Sequence, residues 1–267
     1  MMLALHIPDG FLPGPVGAAG WLLALPALLW SLYQASRQEE DELPLAGLLA
    51  AFVFAAQSFQ FPIPGGTTGH LIGATLVTIL AGPGLAFLVL TCVILLQALL
   101  FGDGGLVVMG WNLTNMGVLS GFCGGSLFLW LTRGGAPRPA AGLVAAWIAT
   151  QAASLATCLE LAAGNASPLV VSLPAMAATQ SLVGVGEGLV TAGAIGFLAR
   201  TRPGLLRRQD SAWPGGVGFG LLLAGCLAAA LLLPSRPLAP LFCWLALCGL
   251  SLIGYGVTRF IGWRGKP

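Results

Sequence analysis

Apolar runs of roughly membrane-spanning length, broken by short Pro, Gly and Arg punctuation, recur along almost the whole chain. A helix needs about 20 apolar residues to cross a hydrocarbon core of about 30 Å. Reading the runs against their punctuation predicts nine helices, at Pro15 to Ala35, Pro44 to Phe59, Gly69 to Gly82, Gly84 to Phe101, Gly110 to Thr132, Pro139 to Ala163, Leu173 to Ala199, Gly215 to Leu233, and Leu238 to Ile261. Only 7% of the residues are charged and 57% are hydrophobic. A soluble domain carries about a quarter charged residues, so a water-exposed surface cannot be built here. The fold class is an all-α polytopic membrane protein, a bundle of about nine transmembrane helices. Met1 to Pro15 holds no Lys or Arg, so no removable secretory signal of the usual kind is expected.

With a net charge of only +2, the placement of charge says more than its sum, and no nucleic-acid partner is expected. If Arg37 marks the inner end of the first helix, alternation puts Arg133, Arg138, Arg200, Arg202, Arg207, Arg208, Arg259, Arg264 and Lys266 inside as well. Ten of the eleven basic residues then lie inside and only Arg236 outside. The positive-inside rule thus predicts an outer N-terminus and an inner C-terminus. The six cysteines are scattered through apolar runs without a Cys-x-x-Cys pair and read as buried free thiols. Abundant Ala, Gly and Leu with a single Lys suit a bacterium of high GC content, whose cytoplasmic (inner) membrane is the expected location.

The second and third predicted helices hold about 16 and 14 residues, and a 14-residue helix rises only about 21 Å. If their inner ends are held by Pro44 and by Gly82-Pro83-Gly84, the irregular loop at 60–70 must dip into the membrane from outside. Irregular backbone survives there only when buried in protein or lining a cavity, and short, Gly/Pro-interrupted segments are the best pointer to a transporter's binding site.

His70 lies in that recess, and the only other histidine, His6, falls on the same outer side. Imidazole suits cobalt, nickel, copper and zinc. A hydrogen-bonded structural histidine is the plainer reading of either alone; two on one face, one recessed, make a shared metal site an equal reading. Four carboxylates could join them. Asp9 and Asp103 sit in Pro-Asp-Gly and Gly-Asp-Gly-Gly turns, which explain them cheaply. Glu160, near an outer helix end, reads as hydrated. Glu187 lies mid-helix, where an ionisable group is costly unless paired; Gln57, Gln97, Asn112, Asn115 and Gln151 are the polar candidates to meet it.

Small residues recur at four-residue spacing as Gly47, Ala51 and Ala55 and as Gly184, Gly188, Ala192 and Gly196. Such stripes let helices approach closely, within the chain as the preferred reading or against another membrane subunit. With Lys266 the only lysine there is no Gly-x-x-x-x-Gly-Lys phosphate loop, and neither His-Glu-x-x-His nor Gly-x-Ser-x-Gly occurs. The expectation is a non-enzymatic binder or carrier, energised by a partner or an ion gradient.

Several stretches resemble one family. His6-Ile7-Pro8-Asp9-Gly10-Phe11-Leu12 is similar to the N-terminal signature of the CbiM/NikM proteins, the substrate-specific (S) components of energy-coupling-factor transporters for cobalt and nickel. Phe52 to Gln57, Pro64-Gly65-Gly66-Thr67-Thr68-Gly69-His70-Leu71, Gln97 to Leu106, Asn112 to Met116, and Gly186-Glu187-Gly188-Leu189-Val190-Thr191 resemble further family motifs in the family's order. The resemblance covers about residues 6 to 208 and implies a metal-binding domain at 1–208 with an additional C-terminal two-helix hairpin at 209–267. It implies a membrane protein that takes cobalt or nickel from outside as cargo, with no cofactor of its own. Its partners would be a transmembrane coupling (T) subunit and two ATPase subunits, with room for a small accessory N subunit.

In the family the metal is held by the N-terminal amine, the backbone nitrogen and side chain of the adjoining histidine, and the loop histidine; carried over, the positions are His6 and His70. Asp9, Gln57, Asp103, Asn112, Asn115 and Glu187 are supporting polar residues. Family members place the first histidine directly after the initiating Met, whereas Met1-Met2-Leu3-Ala4-Leu5 precedes it here. N-terminal processing or a downstream start is expected, and otherwise a weaker site that recruits Asp9. Two other readings stand beside this one: a self-sufficient secondary permease coupled to protons through Glu187, and a membrane scaffold with structural histidines.

Overall fold

In the computed structural model, residues 5–37, 42–63 and 67–206 are described here. The two predicted helices at Gly215 to Leu233 and Leu238 to Ile261, and with them the proposed 209–267 hairpin, lie outside the described residues. The earlier runs fold much as their pattern requires. Helices α1 (Gly14–Ala19) and α2 (Trp21–Ala35) form the first run, joined through Gly20, whose dihedrals remain helical. They are followed by α3 (Leu43–Ser58), the strands β1 (Phe61–Ile63) and β2 (Thr67–Gly69), and α4 (Ala74–Ala81). Next come α5 (Pro83–Phe101) and a composite run made of α6 (Met109–Leu113), a π-helical stretch Thr114–Cys123, and α7 (Gly124–Arg133). The described residues close with α8 (Arg138–Ala163) and α9 (Leu169–Thr201). Among the described residues four helical runs are long and apolar enough to cross a membrane, at 14–35, 83–101, 138–163 and 169–201, and α3 is a shorter apolar helix.

The exposed apolar faces follow helical periodicity. Leu22, Leu25, Leu29 and Leu32 form one outward stripe on α2, while Leu182, Val185 and Leu189 do the same on α9. The polar side chains Gln57, Asn112, Asn115, Thr150, Gln180 and Glu187 are instead buried. An apolar exterior around a polar, hydrogen-bonded interior is what hydrocarbon demands of a helical bundle.

The predicted third helix, Gly69 to Gly82, is shorter than its pattern suggests. Residues 67–69 pair antiparallel with 61–63, Phe61 opposite Gly69 and Ile63 opposite Thr67, so the recessed loop is a short β-ribbon instead of irregular chain. Gly73 then adopts φ +75°, a left-handed conformation that favours glycine and breaks helix propagation. Only Ala74–Ala81 is helical, and all eight of its residues are buried. α4 is therefore an interior element, walled off from lipid by its neighbours.

The glycine stripe on α9 packs inside the chain. A Cβ at Gly184 would lie 2.9 Å from the Trp147 ring, and one at Gly188 would lie 2.8 Å from the Leu143 carbonyl oxygen, both on α8. The stripe on α3 has no such partner among the described residues, since space beside Gly47 is open and Ala51 and Ala55 are exposed. Because backbone oxygen cannot yield as a side chain does, Gly188→Leu is expected to cost about 1–3 kcal/mol of stability, read as a lowered unfolding temperature in detergent. Parent-like melting would show that the α8–α9 seam tolerates bulk.

Candidate metal centre

The N-terminal segment is fixed from the composite helix. Asn112 in α6 is fully buried and takes both backbone groups of one residue: its Oδ1 accepts from Ile7 N–H at 2.8 Å and its Nδ2 donates to the Ile7 carbonyl at 3.1 Å. That carbonyl also accepts from Gly105 N–H at 3.0 Å. Two residues on, the Asp9 carboxylate accepts from Leu106, Val107 and Val108 N–H at 2.9, 2.9 and 3.2 Å, so the expected turn aspartate ties two loops together. Leu5 and Ile7, each 1% exposed, anchor the segment on either side of His6.

Thus held, His6 is buried and its ring meets that of His70, the centroids 4.9 Å apart in an edge-to-face arrangement. Residues 64 positions apart in sequence are neighbours. His6 Nε2 lies 3.2 Å from Met116 Sδ, and Nδ1 lies 3.2 Å from Asp103 Oδ1. Asp103, at the partly open edge of the site, also accepts from Gln60 Nε2 at 2.7 Å. Burial opposes its ionisation, but the adjoining His6, then His70 and Gln60, outweigh that and hold its carboxyl below the usual range.

His70 Nδ1 is 3.0 Å from the Leu71 carbonyl. A carbonyl can only accept, so Nδ1 carries the proton and Nε2 keeps its lone pair. Nε2 is buried and has no hydrogen-bond partner among the described residues. Burial above all, reinforced by the nearby His6, holds the His70 pKa down to about 4. The ring is therefore neutral at physiological pH, the form in which imidazole ligates a metal.

The backbone following His70 is clamped from two sides. Gln57 Nε2 donates to the Ile72 carbonyl at 2.8 Å, and the Glu187 carboxylate accepts from Ile72 N–H at 3.0 Å and Gly73 N–H at 2.5 Å. Glu187 is thus met by backbone amides instead of any of the polar side chains singled out for it. Asn115 turns away from the histidines toward α8, its Nδ2 donating to Glu160 Oε2 at 2.7 Å and Thr157 Oγ1 at 3.1 Å. Glu160, expected to be hydrated, is buried. No sequence spacing signals that pair, which depends on a contact across 45 residues. Met116, a further neighbour of His6, had only its place in the Asn112 to Met116 motif to mark it.

Among the described residues, no three His, Cys, Asp or Glu side chains are disposed to hold an ion between them. Among the described residues the side chains brought together here include two imidazoles, those of His6 and His70. Asp9 is already committed to three amides, which removes the basis for recruiting it as a substitute ligand; Met1–Ala4 lie outside the described residues.

Residues 6–205 match the family described as cobalt uptake substrate-specific transmembrane region. A cobalt transport protein CbiM of Geobacter sulfurreducens is 35% identical, the alignment covering 87% of this chain and 73% of that one. A fused nickel transport protein NikMN of Rhodobacter capsulatus is also 35% identical, with 83% and 71% covered. The fold superposes on the crystal structure of a truncated transition metal transporter with a TM-score of 0.69 at 30% identity, covering 73% of this chain and 99% of that one.

Proposed function

The chain belongs to the CbiM family of cobalt uptake substrate-specific transmembrane regions, and from that premise we propose that it captures one divalent cobalt or nickel ion between His6 and His70 for ATP-driven import. As a member it is a cobalt/nickel transport component of the membrane. The observation that carries the site is the buried, unpartnered Nε2 of His70, with its proton parked on Nδ1 and its ring against that of His6. Nitrogen donors in this number suit nickel and cobalt, and would also accept copper. Burial keeps proton competition at His70 low, so binding there needs no proton loss at neutral pH.

The protein has no ATPase of its own in this reading, and the energy comes from a coupling subunit and two ATPases. The fused nickel transport protein NikMN to which the chain is similar supports a small N component as a further partner. The site opens outward: the basic residues favour an outer N-terminus, and the loop between α8 and α9 then lies on the same side. Asn165 is exposed in that loop, and Asn165→Cys in a cysteine-free background is expected to react with an impermeant thiol reagent in intact cells. Labelling only after the membrane is broken would reverse the orientation.

Metal uptake tests the whole reading. Cells lacking other cobalt and nickel importers are expected to accumulate the metal when this chain is expressed with its coupling and ATPase subunits, and to stay at background without them. Uptake by the chain alone, undiminished by loss of the ATPases, would make it a secondary permease. The permease reading relied on Glu187 for proton coupling, yet both Glu187 oxygens hold backbone amides.

A further inference from the structure

Glu187 sits on α9, 3% exposed, in a part of the bundle where an unpaired carboxylate would be strongly disfavoured. Its two oxygens are taken by consecutive amides, Ile72 and Gly73, of a segment that begins two residues after His70. Gly73 has φ +75°, a conformation that lets neighbouring N–H groups converge into a small anion-binding concavity. The same segment is pinned on its far side by Gln57 through the Ile72 carbonyl, and α9 backs it directly, since a Cβ at Gly186 would lie 3.5 Å from Leu71 Cδ2. Leu71, whose carbonyl holds the His70 proton, lies between His70 and this clamp. The fixed end of the His70 loop is therefore set from a helix more than a hundred positions away.

We propose that Glu187 is a positioning residue for metal binding: by clamping the Ile72 and Gly73 amides it holds the Leu71 carbonyl and the His70 ring in register, so that Nε2 faces His6. The proposal rests on His70 being a ligand. A glutamine of the same size cannot replace it, because one of its two terminal atoms is an NH₂ group and would face an amide N–H, donor against donor. The requirement is for two acceptors on one rigid plane, which only a carboxylate supplies. Outer residues that fix a metal-ligating histidine typically change affinity about 10–100-fold when removed.

The test is nickel titration of detergent-purified full-length protein, comparing the parent, H70A, E187Q and E187D, with the absorption spectrum of the bound metal recorded for each. E187Q is expected to elute and fold like the parent, to bind nickel at least about tenfold more weakly, and to show a spectrum moved toward that of H70A because the His70 nitrogen no longer reaches the ion. E187D, one methylene short, is expected to show the same spectral change, and serves alone if E187Q does not fold. A purely structural Glu187 would leave fewer active molecules, each with the parent's affinity and spectrum; that result, or parent-like binding by either variant, overturns the proposal. If the parent itself fails to bind, or H70A binds like the parent, the ligand role of His70 is what fails.

Discussion

Replacing His70 with alanine is expected to lower nickel or cobalt affinity by at least about a hundredfold, the upper end of what outer-shell losses alone produce, and His6→Ala to do the same. Each substitution removes one of the two imidazoles in the site, and among the described residues no group of three His, Cys, Asp or Glu side chains is disposed to hold an ion. The double variant should be little worse than either single one, because ligands that close around one ion act as a unit and their losses do not add. Calorimetry on folded, detergent-purified variants reads this directly. A single variant that binds like the parent would remove that histidine from the site. Neither change should unfold the protein. His70→Ala gives up one hydrogen bond, from Nδ1 to the Leu71 carbonyl, and the segment around His6 is anchored through its neighbours Leu5 and Ile7.

The second large effect is expected at Asn112, which touches no metal in this account. Its side-chain amide bonds both the N–H and the carbonyl of Ile7 in a fully buried position. Asn112→Ala leaves a buried donor without a partner and weakens the Ile7 carbonyl's bonding to the Gly105 amide alone, and each unsatisfied buried group costs about 1–3 kcal/mol. The cheapest relief is a local shift of the backbone at Ile7 with Asp9 still anchored, which moves the adjoining His6 relative to His70. Metal affinity should fall at least about tenfold, with faster amide exchange at Ile7 than in the parent. Asn112→Asp keeps an acceptor for Ile7 N–H but loses the donor to its carbonyl, so an intermediate loss is expected. Parent-like affinity in Asn112→Ala would mean that Asp9 and the packing of Leu5 and Ile7 suffice to hold the segment.

What the sequence made legible was whatever a local pattern determines. The runs that became α3, α5 and α8 are mostly apolar and open at a Pro, and the structure starts and stops them within a residue of the predicted ends. The His6 and His70 pairing was legible as a side-of-membrane argument and through the family motifs. The third helix was read too long, because an apolar stretch through Leu71 and Ile72 looks helical until the left-handed Gly73 and the ribbon at 61–69 are known. The π-helical widening at Thr114–Cys123 has the same apolar, glycine-containing composition as an ordinary membrane helix. The mid-helix position of Glu187 marks it as a buried charge needing a partner, but the polar side chains within reach of a sequence argument are not that partner; backbone amides 114 and 115 positions away are. No periodicity records such a contact. For the same reason the Asn115–Glu160 pair was missed, and Glu160 was assigned to water.

The most direct test of the central claim is X-ray absorption of the nickel-loaded, full-length protein combined with its metal content. One nickel per chain is expected at saturation, bound by nitrogen donors that include two imidazoles, with one imidazole lost in each of His6→Ala and His70→Ala under conditions that force residual loading. A saturated site without imidazole scattering, or one whose imidazole count is unchanged by both substitutions, would contradict it.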